Sequence, residues 1–460
     1  MQTPLNILIL AAGLGTRMKS NKAKVLHQAA GKALVEHVTD TALRLTTPDR
    51  ITVVIGHQAE RVRDLLSARG VRFALQSEQK GTGHAVLCCE QAVPEHTGRV
   101  VILYGDVPLL TLATLEKLIR LQAEAAVSAT ALTTHLDNPT GYGRIIRNAA
   151  GDIAAVVEEK AANAEQRAVR EINAGIYCFD AALLWKHLHD IRTNNPAGEY
   201  YLTDMVEILS GNGHRVLPLH VEDPSELLGI NTKLELADVD RILRARKARQ
   251  LMLDGVTIER PETVTIDEEV RIAADSVIEP FTRILGKTVI GADCRVGAYS
   301  IIESSTLEDD VQVNPFSIVA TSYVSSGARI GPYARLRLEN HVEAGVHIGN
   351  FVELKKTRIG KGAKAQHLAY LGDSTIGENV NIGAGTITCN YDGKKKHQTK
   401  IGSNSFVGSN STLVAPVTVG EGSYVAAGSV VTDAVPSDAL ALGRSRQIIK
   451  EGWAKKRREE

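Results

Sequence analysis

Three stretches near the amino terminus have residue types and spacing suited to phosphate chemistry. The apolar run Ile7 to Leu10 opens into Ala11-Ala12-Gly13-Leu14-Gly15-Thr16-Arg17-Met18. Glycines there let backbone N–H groups approach a phosphate, and Arg17 adds a fixed positive charge. A plain strand-to-helix turn would use glycine in the same way. The loop is not a dinucleotide fingerprint, because Met18 stands at the third glycine position, nor a Walker loop, because Gly-Lys-Ser/Thr is missing. The run Val100 to Tyr104 leads into Gly105-Asp106-Val107-Pro108. A carboxylate at that strand end either caps the next helix or holds a magnesium ion bridging nucleotide phosphates. Gln76, Gln79 and Gly81-Thr82-Gly83 form a further glycine-bearing loop, suited to reading a base edge by hydrogen bonds. Lys24 is either an ordinary surface lysine or a point charge on a phosphate.

A different inventory gathers in the second half. Between Arg335 and Lys400 stand Arg337, Lys355, Lys356, His367, Tyr370, Asn381, Asn390, Tyr391 and Lys396. Among them His367 is the one imidazole and so the candidate base, although a lone histidine is more often structural or solvated.

The elements that must position these residues differ between the halves. In the first, Ile7 to Leu10, Ile51 to Ile55, Val100 to Tyr104, Ala126 to Leu132 and Ile176 to Phe179 alternate with helix-length segments. Near-continuous apolar strands predict a largely parallel sheet with helices on both faces, an α/β, Rossmann-like domain. Ligands of such sheets bind beyond the carboxyl ends of the strands, where the loops above lie. Leu234, Val239, Ile242, Leu243, Ala245 and Leu251 recur among charges as a connecting helix requires. The predicted boundaries are 1–232, 233–253 for the linker helix, and 254–460.

From Ile266 to Val431 a branched aliphatic residue recurs about every sixth position, beginning Ile266, Ile272, Ile278, Ile284, Ile290. That spacing fits neither a helix nor a half-buried strand. It fits short strands joined by tight corners, three to a triangular coil, with Gly291, Gly297, Gly331, Gly349, Gly360 and Gly377 at turns. About nine coils at the usual strand spacing give a prism about 45 Å long. The ladder breaks from Cys389 to Lys400, and such excursions are where solenoids often carry function. A prism without chemistry would be scaffold alone.

Composition excludes several classes. The 460 residues carry 53 basic and 53 acidic side chains, leaving no overall electrostatic footprint for nucleic acid. Five cysteines without CxxC spacing suggest neither a disulfide framework nor a zinc site, and the chain reads as reduced and cytoplasmic. Met1 leads into an apolar run without a basic leader, and no stretch is long enough to insert into a membrane. Lys455-Lys456-Arg457-Arg458 reads as a solvated terminus.

Leu10 to Met18 with Lys24-Val25-Leu26 resembles the sugar-1-phosphate nucleotidylyltransferase family. Gln79 to Ala85, Tyr104 to Pro108 and Gly141-Tyr142-Gly143-Arg144 are similar to its branch of bifunctional uridylyltransferase–acetyltransferases. Gly349 to Lys356, Asn381 to Thr386 and Cys389 to Gly393 match the same branch, whose second half resembles left-handed parallel β-helix acyltransferases of hexapeptide repeats. The resemblance covers nearly the whole chain. It implies acetyl transfer from acetyl-CoA to glucosamine 1-phosphate, then uridylyl transfer from UTP to the product, giving UDP-N-acetylglucosamine for peptidoglycan and lipopolysaccharide precursors. It implies a homotrimer with acetyl sites between subunits, and Mg2+ as cofactor.

Carried over residue by residue, the resemblance assigns the uridylyl site to Leu10, Ala11, Ala12, Gly13, Lys24, Gln76, Gly81, Thr82, Gly141, Glu158, Asn173 and Asn231, with Arg17 and Lys24 catalytic. Asp106 and Asn231 would hold the metal. His367 becomes the acetyl-transfer base. Arg337, Lys355, Tyr370, Asn381 and Lys396 would bind the amino sugar phosphate, and Ala384, Asn390, Tyr391, Ser409, Ala427 and Arg444 the acetyl-CoA. Two positions depart from the pattern: Ala23 and Leu338 stand where relatives often have proline. The competing readings are a single-activity nucleotidylyltransferase whose prism only assembles or regulates, and a non-catalytic assembly subunit. His367, Lys355 and Asn390 speak against the first; Arg17, Lys24 and Asp106 speak against the second.

Overall fold

Alternate residues of the first apolar run are drawn into two different cores. Leu8 and Leu10 pack with Val54, Ile102 and Phe179 on one face of a sheet, while Ile7 and Ile9 pack with Val53, Leu103 and Leu115 on the other. A strand buried on both faces has this two-residue alternation between helical layers. The computed structural model describes residues 3–93 and 95–460, so the leader reading at Met1 lies outside the described residues. The strand order is Val216–His220, Ala129–His135, Glu171–Asp180, Arg99–Tyr104, Leu5–Leu10, Ile51–Ile55, Arg72–Leu75. All neighbours along this path are parallel except at Glu171–Asp180, which runs antiparallel to both of its neighbours. A hairpin, Arg144–Arg147 with Ile153–Val157, attaches to Glu171–Asp180.

Two strand ends shift from expectation. The run expected from Ala126 begins at Ala129, because Ala126 (φ 46°) closes the helix Leu112–Ala125 in the left-handed region. The run expected at Ile176 starts at Glu171, since its first residues pair with the polar strand end at Thr133 to His135.

The chain divides into two compact units, Met1–Leu243 and Arg244–Glu460. The division falls within the helix Lys233–Leu253. Val239 and Leu243 belong to an apolar cluster of the first unit with Met18 and Leu34, whereas Ala248 and Leu251 join the core of the second. Leu234 and Ala245, expected on the apolar face, are exposed. The buried face changes along the helix because its two halves serve different cores.

The second unit is a parallel β-helix of three sheets with 11, 10 and 9 strands, each strand two to four residues long. Every third rung of the sixfold ladder shares a sheet: Ile266, Ile284, Ile302, Val319, Leu336, Leu354 and Leu371 lie in successive register. All are buried. The coil count exceeds the nine expected, because Thr257–Ile258 precedes the recognised ladder and Leu440–Ala441 follows it.

The corner glycines serve a purpose other than the expected one. Of the six named, only Gly331 has positive φ. A Cβ on Gly349 would lie 2.1 Å from the carbonyl oxygen of Gln366, and one on Gly360 2.6 Å from the carbonyl carbon of Gly377. Close approach of the next coil, not chain reversal, requires glycine there. The left-handed corners themselves are taken by Asp275, Asp293, Asp310 and, in one column, by aromatic residues. Phe281, Tyr299, Phe316, Tyr333 and Phe351 stack with centroids 4.8, 5.1, 5.0 and 5.3 Å apart, so stacking offsets the strain of bulky residues at positive φ.

Candidate functional site

The carboxyl ends of Leu5–Leu10 and Arg99–Tyr104, adjacent parallel strands, open onto a cavity of about 260 Å³. Leu10, Ala11, Ala12, Gly13, Lys24, Gln76, Gly81, Thr82 and Asp106, all expected from the sequence, line it together with Gln79. Two glycines shape it. Gly15 (φ 63°) leaves room for Lys24, whose Cβ would sit 2.6 Å from an added methyl; at Gly81 (φ 105°) an added Cβ would lie 2.5 Å from the backbone oxygen of Tyr200. Gln76 is buried and donates from Nε2 to Gly81 O at 3.0 Å, which fixes the loop whose Gly81 and Thr82 line the cavity.

At the cavity mouth Lys24 Nζ is ion-paired with Asp106 Oδ2 and donates to Asn231 Oδ1 at 3.2 Å. Arg17 Nη2 donates to the same Asn231 oxygen at 2.8 Å. Asn231 is held at the entry of the helix Lys233–Leu253, where Glu235 accepts from the Asn231 and Thr232 N–H groups at 2.6 and 2.8 Å. The backbone adds a tie, Ile230 N to Asp106 O at 3.1 Å. Two hard oxygens from distant segments therefore share one cation. Among the described residues no group of three or more His, Cys, Asp or Glu could cage a metal. A carboxylate plus an amide oxygen fits magnesium, which takes one or two carboxylates and fills its shell with water and phosphate oxygens.

Ala23 shows what replaces the proline of relatives. Its φ of −54° is the value proline would impose, and its N–H donates to Gln58 Oε1 at 3.2 Å, a bond proline lacks. Lys24 is thus presented without the ring.

Gly141, Glu158 and Asn173 do not line this cavity. They gather around the attached hairpin: Asn173 N donates to Gly143 O at 2.9 Å, and Glu158 Oε1 accepts from Thr203 Oγ1 at 3.2 Å. Burial pushes the Glu158 carboxyl up. Asp204 is pushed up to about 6, first by burial and then by Glu207 and Glu158.

Sequence reasoning missed Tyr104, Val25, Ala85 and Glu199 in the cavity wall. Tyr104 had a signal, standing just before Gly105-Asp106; its ring packs on Gly175, where a Cβ would lie 2.6 Å away. Glu199 had none. It is brought in by Tyr200 N donating to Lys80 O at 2.8 Å across the fold.

In the β-helix the expected residues fall into two groups. Arg337 and Lys355 are register neighbours in one sheet, and Tyr370 follows on the next strand of that sheet. Lys355 is buried and its Nζ donates to Asp373 Oδ2 at 2.9 Å. Asn390, also buried, bonds to the same Asp373 oxygen. Arg337 Nε donates to Glu353 Oε1 at 2.6 Å. Leu338 (φ 59°) turns the corner in the left-handed region, a conformation closed to proline.

His367 lies in a second sheet, where Asn350 precedes it in register. Asn350 Oδ1 is buried without a hydrogen-bond partner. His367 is followed by Ala384, Ser409 and Ala427, each two residues beyond a paired strand position on successive coils. Small side chains thus run up the prism from an exposed histidine, and Arg444 lies next to the last coil. Asn381 sits on the same sheet. The loop from Asn390 to Gln398 leaves the prism, with Lys396 Nζ 6.0 Å from the centroid of the Tyr391 ring. The positive charge of Lys355 beside it holds the Lys396 amine below its usual value.

An α/β sheet with a phosphate-suited cavity and a β-helix of six-residue repeats define a nucleotidyltransferase joined to a hexapeptide-repeat transferase. The MobA-like NTP transferase domain family matches residues 7–173, the bacterial transferase hexapeptide family residues 398–433, and the hexapeptide repeat of succinyl-transferase residues 287–314. The bifunctional protein GlmU of Solibacter usitatus is 61% identical, over 100% of this chain and 98% of the relative. That of Koribacter versatilis is 50% identical over 99% and 97%, and that of Geobacillus sp. strain WCH70 45% identical over 97% and 96%. The chain belongs to the GlmU family of bifunctional transferases. Its activity is the two-step synthesis of UDP-N-acetylglucosamine.

Proposed function

We propose that the β-helix unit acetylates glucosamine 1-phosphate and the α/β unit then uridylylates the product, with the residues expected from the sequence in the roles given there. In the first step His367 accepts a proton from the amine, the nitrogen lone pair attacks the thioester carbonyl of acetyl-CoA, and the C–S bond breaks to release coenzyme A, whose thiolate takes up the proton. The small-residue column Ala384, Ser409, Ala427 leaves a path for the coenzyme leading to that histidine. Lys355, Arg337 and Lys396 neutralise the sugar phosphate. The observation that carries this reading is the register that puts His367 one coil before Ala384.

In the second step the sugar phosphate oxygen is already ionised and attacks the α-phosphorus of UTP, with pyrophosphate leaving. No side-chain nucleophile is needed; positioning and charge neutralisation suffice. Lys24 and Arg17 meet the phosphates, and Gln76, Gly81 and Thr82 hold the uracil. Asp106 and Asn231 would hold Mg2+, which when bound supplies further neutralisation of phosphate charge. Glu158 and Asn173 accept and donate to the sugar.

The acetyl-site residues of one chain are divided between two sheets, which supports sites completed by neighbouring copies in a trimer. Among the described residues no helix is long and apolar enough to cross a membrane, and a cytoplasmic location suits the substrates. The test is an assay with glucosamine 1-phosphate, acetyl-CoA, UTP and magnesium, omitting one at a time. UDP-N-acetylglucosamine forms only in the complete mixture; its appearance without acetyl-CoA would sink the proposal.

A further inference from the structure

We propose that Asp373 is a positioning residue that couples the sugar-phosphate and acetyl-CoA halves of the acetyl site. The inference rests on the acetyltransferase reading of that site.

Asp373 occupies a left-handed corner (φ 48°), and its N–H, its carbonyl oxygen and one carboxylate oxygen all have partners. Its N–H donates to Lys355 O at 2.8 Å and its carbonyl oxygen accepts from Thr399 N at 3.2 Å. One carboxylate oxygen, Oδ2, takes both the Lys355 ammonium and the Asn390 amide N–H. Lys355 and Asn390 belong to different substrates in the reading above, and this oxygen is their common partner.

The approach of Asn390 depends on Gly372. A Cβ there would stand 2.7 Å from Asn390 Nδ2 and 2.5 Å from Tyr370 Oη. With its N–H given to Asp373, the Asn390 amide keeps its Oδ1 as the acceptor that remains for a ligand. Asp373 also holds both roots of the loop that leaves the prism: Asn390 opens it and Thr399 closes it. That loop carries Lys396, whose charge repels Lys355. The Asp373 carboxylate, paired with Lys355 and attracting Lys396, offsets this repulsion, so the phosphate-binding cations stay together before the phosphate arrives.

The test is a pair of double-mutant cycles, Asp373→Ala with Lys355→Ala and Asp373→Ala with Asn390→Ala. Acetyl-transfer KM for each substrate and kcat are read on the full-length protein. Asp373→Ala raises both KM values, each by about tenfold, while uridylyl transfer on the same chain is unchanged. Adding Lys355→Ala then raises the amino-sugar KM little further, and adding Asn390→Ala does the same for acetyl-CoA, because residues acting through one partner are non-additive. Effects that multiply to within a factor of about two overturn the inference, as does an Asp373→Ala enzyme with unchanged KM values. Should Asp373→Ala not fold, the isosteric Asp373→Asn replaces it in both cycles. If the unaltered protein does not acetylate glucosamine 1-phosphate, both this inference and the reading beneath it fail; if it does, and additivity is found, only the role of Asp373 falls.

Discussion

Lys24 and Asp106, 82 positions apart, meet as an ion pair at the ends of the first cavity's strands, with the Asn231 oxygen on the same ammonium. Lys24 alone is a surface lysine and Asp106 alone a helix cap. Brought together they place a cation and a carboxylate at the mouth of one cavity.

Asp106→Ala removes one of the two proposed metal-holding oxygens and leaves Lys24 unpaired. Uridylyl transfer falls by about 100-fold or more in kcat/KM, and acetyl transfer, measured on the same preparation by thiol release, stays at its original rate. Loss of both activities together would show instead that the substitution unfolds the protein.

His367→Ala gives the opposite pattern. General-base catalysis is worth about 10²- to 10⁴-fold, so acetyl transfer drops by that order while uridylylation of added N-acetylglucosamine 1-phosphate persists. Retained acetylation would move the base elsewhere.

Asp204 predicts a pH signature in stability. Its folded-state pKa of about 6 lies above the ordinary 3.8, so the folded protein binds the proton more tightly than the unfolded chain. Its favourable contribution is full below about pH 4 and is lost as pH rises to about 6. Asp204→Asn keeps the neutral form at every pH. Melting curves between pH 4 and 8 will show the variant gaining over the original protein above pH 6; an equal difference at all pH values would contradict this.

Phe316 lies in the middle of the aromatic column, stacked on Tyr299 and Tyr333. Phe316→Ala removes two ring contacts, each worth about 0.5–1.5 kcal/mol, and leaves alanine at φ 61°. Denaturation midpoints should fall, and Phe316→Asn, a residue better suited to positive φ, should lose less than alanine does.

Local patterns carried most of the architecture because they are local. Burial every six residues forces short strands and corners wherever it occurs, and each ladder residue from Ile266 to Val431 is indeed buried. The apolar runs likewise announced the central strands, since a strand covered on both faces has no choice of residue. The ends were less legible. Ala126 looks like strand and is a helix terminus, because one residue's φ is set by its neighbours in space. The corner glycines were visible, but their cause was not: contact with the next coil is a relation between residues about 18 apart, set by stacking.

The sites divide along the same line. Residue types in the strand-end loops and the polar run around His367 were determined by the sequence itself, and with them the kinds of chemistry the chain can host. Only the tertiary structure decided which groups share an atom: Lys24 with Asp106 and Asn231, Glu199 with the Gly81 loop, Lys355 and Asn390 with Asp373. For Lys24 with Asp106 and Asn231 the separation along the chain holds no trace of the distance in space, whereas Asp373 lies one coil from both Lys355 and Asn390 and only the shared atom was hidden. A carboxylate's role depends on the cations within a few ångströms, and that distance exists only after folding.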